Sequence, residues 1–232
     1  MTLTNMELRE QVAACTRLMV PEGIIDFSGH VSARIPGSDH MLIQPRLVGR
    51  SVLRPEDLLV ADLDGNLVEG DGELPSETAL HTGVYRARPD AHAVCHGHPL
   101  HSTVFSTVDV PMRPMRNFAQ RIADGVPVHR DGTHIRSQAQ GEELAKTLGD
   151  HLVCLLRGHG TVVVGGSVKE LFSNCLDLEE NAKAQIQASM VGTPLPFEDD
   201  EIEALRASFG SPSGRASKIW NHYLEKGAHY LW

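Results

Sequence analysis

The sequence predicts one α/β domain over residues 1–232, with a central, mostly antiparallel β-sheet flanked by helices. Three observations lead there. Short apolar runs joined by turn residues fill the first third of the chain, as hairpins require. Helix-period segments then alternate with further short apolar runs, which lays helices over the faces of a sheet. Finally, 232 residues of which 41% are hydrophobic can bury one sizeable core.

Thr4-Asn-Met-Glu7 has the form of a capping box and opens a helix to about Val20, with Leu8, Val12, Cys15 and Met19 on one face. Pro21-Glu-Gly23 stops it. Residues 24–35 run from loop into strand, and the turn Pro36–Asp39 returns the chain through Met41–Gln44. A second hairpin joins Leu58–Asp62 to Leu67-Val68 across Asp64-Gly65. Ser76, as N-cap, starts a helix that continues to Arg88 and ends at Pro89. A strand over 91–98 follows, then a short helix after Pro99. The two prolines and polar side chains of 111–120 indicate a loop. Residues 138–148 are helical, Leu152–Leu156 and Thr161–Val164 are strands, and Ser167–Met190 is a long helix with Leu171, Cys175, Leu178, Ala182 and Ile186 on one stripe. Pro194-Leu-Pro196 breaks it, leaving 194–232 as a C-terminal helical tail.

Net charge of −9, with no stripe of Lys and Arg, makes nucleic acid and anionic membrane poor partners. No apolar run approaches the roughly 20 residues that span a bilayer, and Met1–Glu10 has no apolar signal-peptide region. Cys15, Cys95, Cys154 and Cys175 sit singly in apolar segments, as reduced core residues of a cytoplasmic protein do. Of the histidines, His40, His129 and His229 read as solvated.

The chemistry gathers at His96-Gly-His98. Residues i and i+2 of a strand share a face, so both imidazoles aim at one point, and Pro99 ends the strand there. A metal needs a third protein ligand and keeps an open position for chemistry. His159 offers one, between Gly158 and Gly160 at a strand junction. Glu77 adds a carboxylate at a helix start, where stabilisation by the helix dipole would explain it equally well. Ser28-Gly-His30 reads as a polar loop, and Arg46 and Arg50 as parts of a solvated turn.

Together these residues resemble the class II aldolase/adducin family. Ser28-Gly-His-Val-Ser-Ala-Arg34 is similar to its Gly-Asn-x-Ser-x-Arg signature. Leu74-Pro-Ser-Glu77, Arg88-Pro-Asp90, His96-Gly-His-Pro99 and Arg157-Gly-His-Gly160 follow in the family's order, over about residues 5 to 190. The resemblance implies that His96, His98 and His159 bind a divalent metal and that Glu77 transfers a proton. It also implies a homotetramer with active sites at subunit interfaces.

The departures narrow the substrate. Sugar-phosphate members of the family hold phosphate with Ser-Gly-Asn, Thr-Gly and Ser-Ser segments. Here His30 stands in place of Asn, Arg46-Leu47 in place of Thr-Gly, and Pro75-Ser76 in place of Ser-Ser. Leu47 denies the close approach that Gly allows, and Pro75 removes a hydroxyl and an N–H. The tyrosine expected near Pro114-Met115 is missing. Within the family the pattern is similar to decarboxylases of ortho-hydroxy aromatic or pyridine dicarboxylates, acting in vitamin B6 breakdown or on dihydroxyphthalates. The implied reaction is loss of carbon dioxide, with Glu77 delivering the ring proton if an apolar pocket raises its pKa. Arg46 would hold the retained carboxylate, and Ser28, His30 and Ser76 would contact the substrate. One ion per subunit is expected, manganese by that resemblance, with zinc as the alternative. Two other readings remain: an aldolase or epimerase of a small hydroxy-carbonyl or sugar-phosphate compound, and a non-catalytic adducin-like interaction module. Trp220–Tyr223 would close over the site or pack as an aromatic tail.

Overall fold

The computed structural model of the protein describes residues 5–231. Thr4 of the expected capping box lies outside them. Helix α1 (Asn5–Met19) buries Leu8, Val12, Cys15 and Met19, the predicted face. Strands β1 (His30–Arg34), β2 (His40–Ile43), β3 (Leu59–Asp62) and β4 (Leu67–Glu69) form the expected meander. Helix α2 (Thr78–Ala87) then leads into β5 (Ala93–Gly97) and the short α3 (Leu100–Val104). The second half contributes β6 (Val128–His129), α4 (Gln138–Leu148), β7 (Val153–Leu156), β8 (Gly160–Gly165) and α5 (Val168–Val191). The tail folds as α6 (Asp199–Ser208) and α7 (Pro212–Lys226).

The eight strands make one sheet in the order β4-β3-β2-β1-β5-β8-β7-β6. Every pairing is antiparallel except β6 with β7. The central strands therefore carry apolar residues on both faces, and each face has its own core. One core joins Val31, Ala33, Cys95 and Val163 to α1 and α5. The other joins Met41, Val94, Val162 and Val164 to Leu80 and Val84 of α2 and Leu144 of α4. Alternation along β5 puts His96 on the same face as Val94, and so under α2.

Three expectations need correction. Ser76 does not cap α2: Glu77 occupies the N-cap position, without a side-chain cap bond, and Ser76 is exposed. The cause is Pro75, whose carbonyl accepts the Thr78 N–H and the Thr78 hydroxyl, so a turn precedes the helix. His129 is buried in β6, a strand of two residues too short to show an alternation, with Nδ1 3.2 Å from Thr147 Oγ1. A 3₁₀ turn over Asn117–Ile122 occupies part of the segment read as loop. In the tail, Trp220 is buried and meets Phe172 of α5 edge-on at 5.6 Å, so within the subunit it packs and does not close over the histidines.

Candidate metal centre and active site

The end of β5 and the β7–β8 turn bring the predicted ligands together. The β5 backbone fixes His96, while His98 follows on the same side where Pro99 ends the strand. His159 sits in the tight β7–β8 turn, where its N–H bonds to the Leu156 carbonyl at 3.0 Å. Gly158 adopts φ +62° in that turn, and a Cβ on Gly160 would collide with the Gly97 carbonyl oxygen. These two glycines allow His159 to approach the β5 histidines. One ring nitrogen each of His96, His98 and His159 then lies within 4.8 Å of the others.

The outer nitrogens settle which atoms face inward. His96 Nδ1 is 3.0 Å from the Thr161 carbonyl oxygen, an acceptor only, so Nδ1 carries the proton. His98 Nδ1 is likewise 3.0 Å from Asp26 Oδ1. Both Nε2 lone pairs therefore point into the site, and the two nitrogens are 3.2 Å apart. Two lone pairs facing each other repel unless a cation lies between them. Two ligands each about 2.1 Å from a shared ion would have such a spacing. The donor set thus fits a divalent metal held by His96, His98 and His159.

Asp26 was not legible as a site residue. Its Oδ1 accepts from the N–H of Ser28 at 2.7 Å and of Gly29 at 3.4 Å, and it also holds His98, so one carboxylate shapes the loop and orients a ligand. Burial raises its pKa, but those N–H groups and His98 outweigh burial and lower it. Replacing Asp26 by Asn should weaken metal affinity about 10- to 100-fold, as loss of an orienting partner does elsewhere. Competition with a chelator would measure this, and unchanged affinity would refute the role.

Glu77 lies beside the histidines and is buried. Its Oε1 accepts the Ile135 N–H at 3.0 Å, while Oε2 stands 3.6 Å from His96 Nε2 and 3.8 Å from His159 Nε2. Its pKa is not raised, as an apolar pocket alone would raise it. Burial pushes the carboxyl up, but the polar groups beside it, His96, the Ile135 N–H and His159, outweigh burial and hold it below the ordinary carboxylate range. Glu77 is therefore a carboxylate at neutral pH, a proton acceptor. Burial, followed by the charge of His96, lowers His159 to about 4, so that imidazole is neutral and able to ligate.

The remaining predicted residues are placed unequally. His30 is buried on β1, with its ring 5.1 Å from that of His96. Ser28 is half-buried in the Asp26 loop. Arg46 is exposed and paired with Glu73 at 3.3 Å. Ser76, also exposed, lines a separate crevice with Asp64, Thr78 and Arg136. Arg50, read as part of a solvated turn, is buried. It donates to the carbonyls of Ser28 (2.7 Å), Gly29 (3.0 Å), Arg46 (3.0 Å) and Val48 (2.9 Å), tying the Ser28 loop to the Arg46 loop. Two histidines were missed. His134 comes within 5.2 Å of the His159 ring from an irregular loop, where no periodicity marks it. His81, on α2, bonds to His30 at 2.7 Å.

The sequence pattern of the class II aldolase and adducin N-terminal domain matches residues 10–186. A 3,4-dihydroxyphthalate decarboxylase of Arthrobacter keyseri is 30% identical over 238 residues, covering 97% of this chain and 95% of that protein. Its counterpart in a Terrabacter species is 32% identical over 208 residues, covering 82% of this chain and 86% of that protein. Among solved structures, an aldolase II superfamily protein of Pseudomonas syringae superposes with a TM-score of 0.85 at 25% identity, over 97% of this chain and 94% of that one.

Proposed function

The chain belongs to the class II aldolase/adducin family, and on that premise we propose that it is a metal-dependent carboxy-lyase of an ortho-hydroxy aromatic or pyridine dicarboxylate. The observation that carries the proposal is the convergence of three imidazoles with an ionised Glu77, Oε2 of which lies 3.6 Å from His96 and 3.8 Å from His159. The decarboxylase relatives support the choice of reaction, as does the replacement of the sugar-phosphate segments by His30, Arg46-Leu47 and Pro75-Ser76.

His96, His98 and His159 would hold one divalent ion per subunit, manganese by the decarboxylase likeness, with zinc the alternative. When bound, the ion supplies a Lewis acid that stabilises negative charge on the substrate. The protein's own groups manage the proton. Ionised Glu77 takes the proton of the substrate's ortho-hydroxyl. The bond from ring to carboxylate then breaks, carbon dioxide leaves, and the electron pair stays with the ring. Glu77 returns its proton to the vacated ring carbon, and the product oxygen is reprotonated from water. The net change is one carboxylate and one proton converted to a C–H bond and carbon dioxide. Burial of Glu77 and His96 keeps bulk water from competing for that proton. Ser28 and Arg46 would meet the substrate from the rim, with Arg46 suited to the retained carboxylate once it leaves Glu73.

The working form would be a cytoplasmic homotetramer, with sites at subunit interfaces. Phe27, 89% exposed, and Leu47, 82% exposed, leave apolar surface on the two loops that Arg50 joins. The test is carbon dioxide release by metal-loaded protein from a panel of ortho-hydroxy aromatic and pyridine dicarboxylates. Release from a panel member is the expected result. Cleavage of a sugar phosphate instead, lost on Ser28→Ala, would replace this reading with an aldolase.

A further inference from the structure

Beneath the metal ligands, four buried side chains from β1 and α2 form a line of hydrogen bonds. Tyr85 Oη is 2.8 Å from Ser32 Oγ, Ser32 Oγ is 2.7 Å from His81 Nδ1, and His81 Nε2 is 2.7 Å from His30 Nδ1. All four residues are buried. The strand period explains half of this line, because His30 and Ser32 share one face of β1. His81 and Tyr85, four apart on α2, share the helix face above them.

Each link needs one donor and one acceptor, and Ser32 Oγ, with one proton and two lone pairs, allows three orders of protons along the line. In one, Tyr85 donates to Ser32, Ser32 to His81 Nδ1, and His81 Nε2–H to His30 Nδ1. In the other two His81 donates from Nδ1 to Ser32, and a buried O–H is left with no acceptor among the described residues: that of Tyr85 if Ser32 donates to it, that of Ser32 if it accepts from both neighbours. A buried hydroxyl proton without an acceptor is costly, and the first order prevails. It fills the His30 Nδ1 lone pair and leaves the ring's single proton on Nε2.

We propose that the Tyr85–Ser32–His81 line fixes His30 as a hydrogen-bond donor, which presents Nε2–H to an anionic oxygen of the substrate and cannot ligate the metal. The choice matters because His30, Glu77 and His96 also bring one potential ligand atom each within 4.8 Å of one another. With Nδ1 accepting from His81 and Nε2 protonated, His30 has no lone pair left for an ion. The cation is therefore confined to the His96, His98 and His159 side, and the space between His30 and Glu77 is left for substrate oxygen. His81, Ser32 and Tyr85 are positioning residues, acting through His30. The kind of oxygen bound, a carboxylate or phenolate, rests on the decarboxylase reading; the tautomer does not.

Nitrogen-15 NMR of the zinc-loaded, histidine-labelled protein reads the tautomer directly, whatever reaction the protein catalyses. The expected result is an Nε2–H tautomer at His30 in the wild type and a mixture of tautomers in Tyr85→Phe, which keeps the ring and removes the donor. An Nδ1–H tautomer in the wild type, or an unchanged one in Tyr85→Phe, would overturn the proposal. Binding of 2-hydroxybenzoate to the same protein gives the second readout. His30→Ala should weaken it about 10-fold or more, His30→Gln should restore part of it, and both variants should keep one zinc per subunit. Loss of zinc from His30→Ala would make His30 a ligand and refute the assignment.

Discussion

Replacing His96 by alanine is expected to remove the ion and to lower turnover by about 10³-fold or more, several kcal/mol of lost charge stabilisation. His96 is the centre of the ligand set: its Nε2 is 3.2 Å from that of His98 and 3.6 Å from Glu77 Oε2, and its Nδ1 is anchored to the Thr161 carbonyl. Removing it leaves two ligands and an ionised Glu77 without its nearest imidazole. Because His96 is fully buried on a central strand, His159→Ala is the companion variant. It lies in the β7–β8 turn and should lose the ion with less disturbance of the sheet. Elemental analysis of both variants, beside thermal unfolding, checks the expectation. Retention of one ion per subunit in both would mean that the three imidazoles are not the metal centre.

Glu77→Gln separates proton transfer from metal binding. The amide keeps the shape, and its oxygen can still accept from the Ile135 N–H at the Oε1 position. Only the negative charge and the ability to carry a proton are lost. Turnover should fall about 10²- to 10⁴-fold, the range for loss of a general acid–base group. Metal content and unfolding temperature should stay close to wild type. A variant that retains full turnover would remove Glu77 from the mechanism. One that loses its ion would make the carboxylate a ligand instead.

How much of this was legible in the sequence follows from range. The β5 pair was readable because a strand repeats every two residues, and His96 and His98 obey that period within five letters. His159 was readable because Gly158 and Gly160 announce a tight turn with a close approach. The meander and the long α5 were likewise written in local pattern. Asp26, His81 and Tyr85 were not. His81 and Tyr85 read as ordinary members of a helix, and their bonding to β1 depends on how α2 lies across the sheet, 49 and 53 residues away in sequence from Ser32. Asp26 reaches His98 across 72 residues, again through tertiary packing alone. The direction of the Glu77 pKa was hidden for a related reason. Sequence placed it on a helix start, but only the fold brings two histidines and a backbone N–H to its carboxylate. Arg50 likewise gave no local sign of the four carbonyls it gathers.

The central claim is that the three-histidine centre and Glu77 together cleave a carbon–carbon bond to a carboxylate. The most direct test follows carbon dioxide from an ortho-hydroxy aromatic dicarboxylate on one preparation, metal-loaded, then stripped, then reloaded. The account predicts release that stops on stripping, returns on reloading, and is absent from His96→Ala throughout. Release that continues undiminished from the stripped protein, or from His96→Ala, would contradict it.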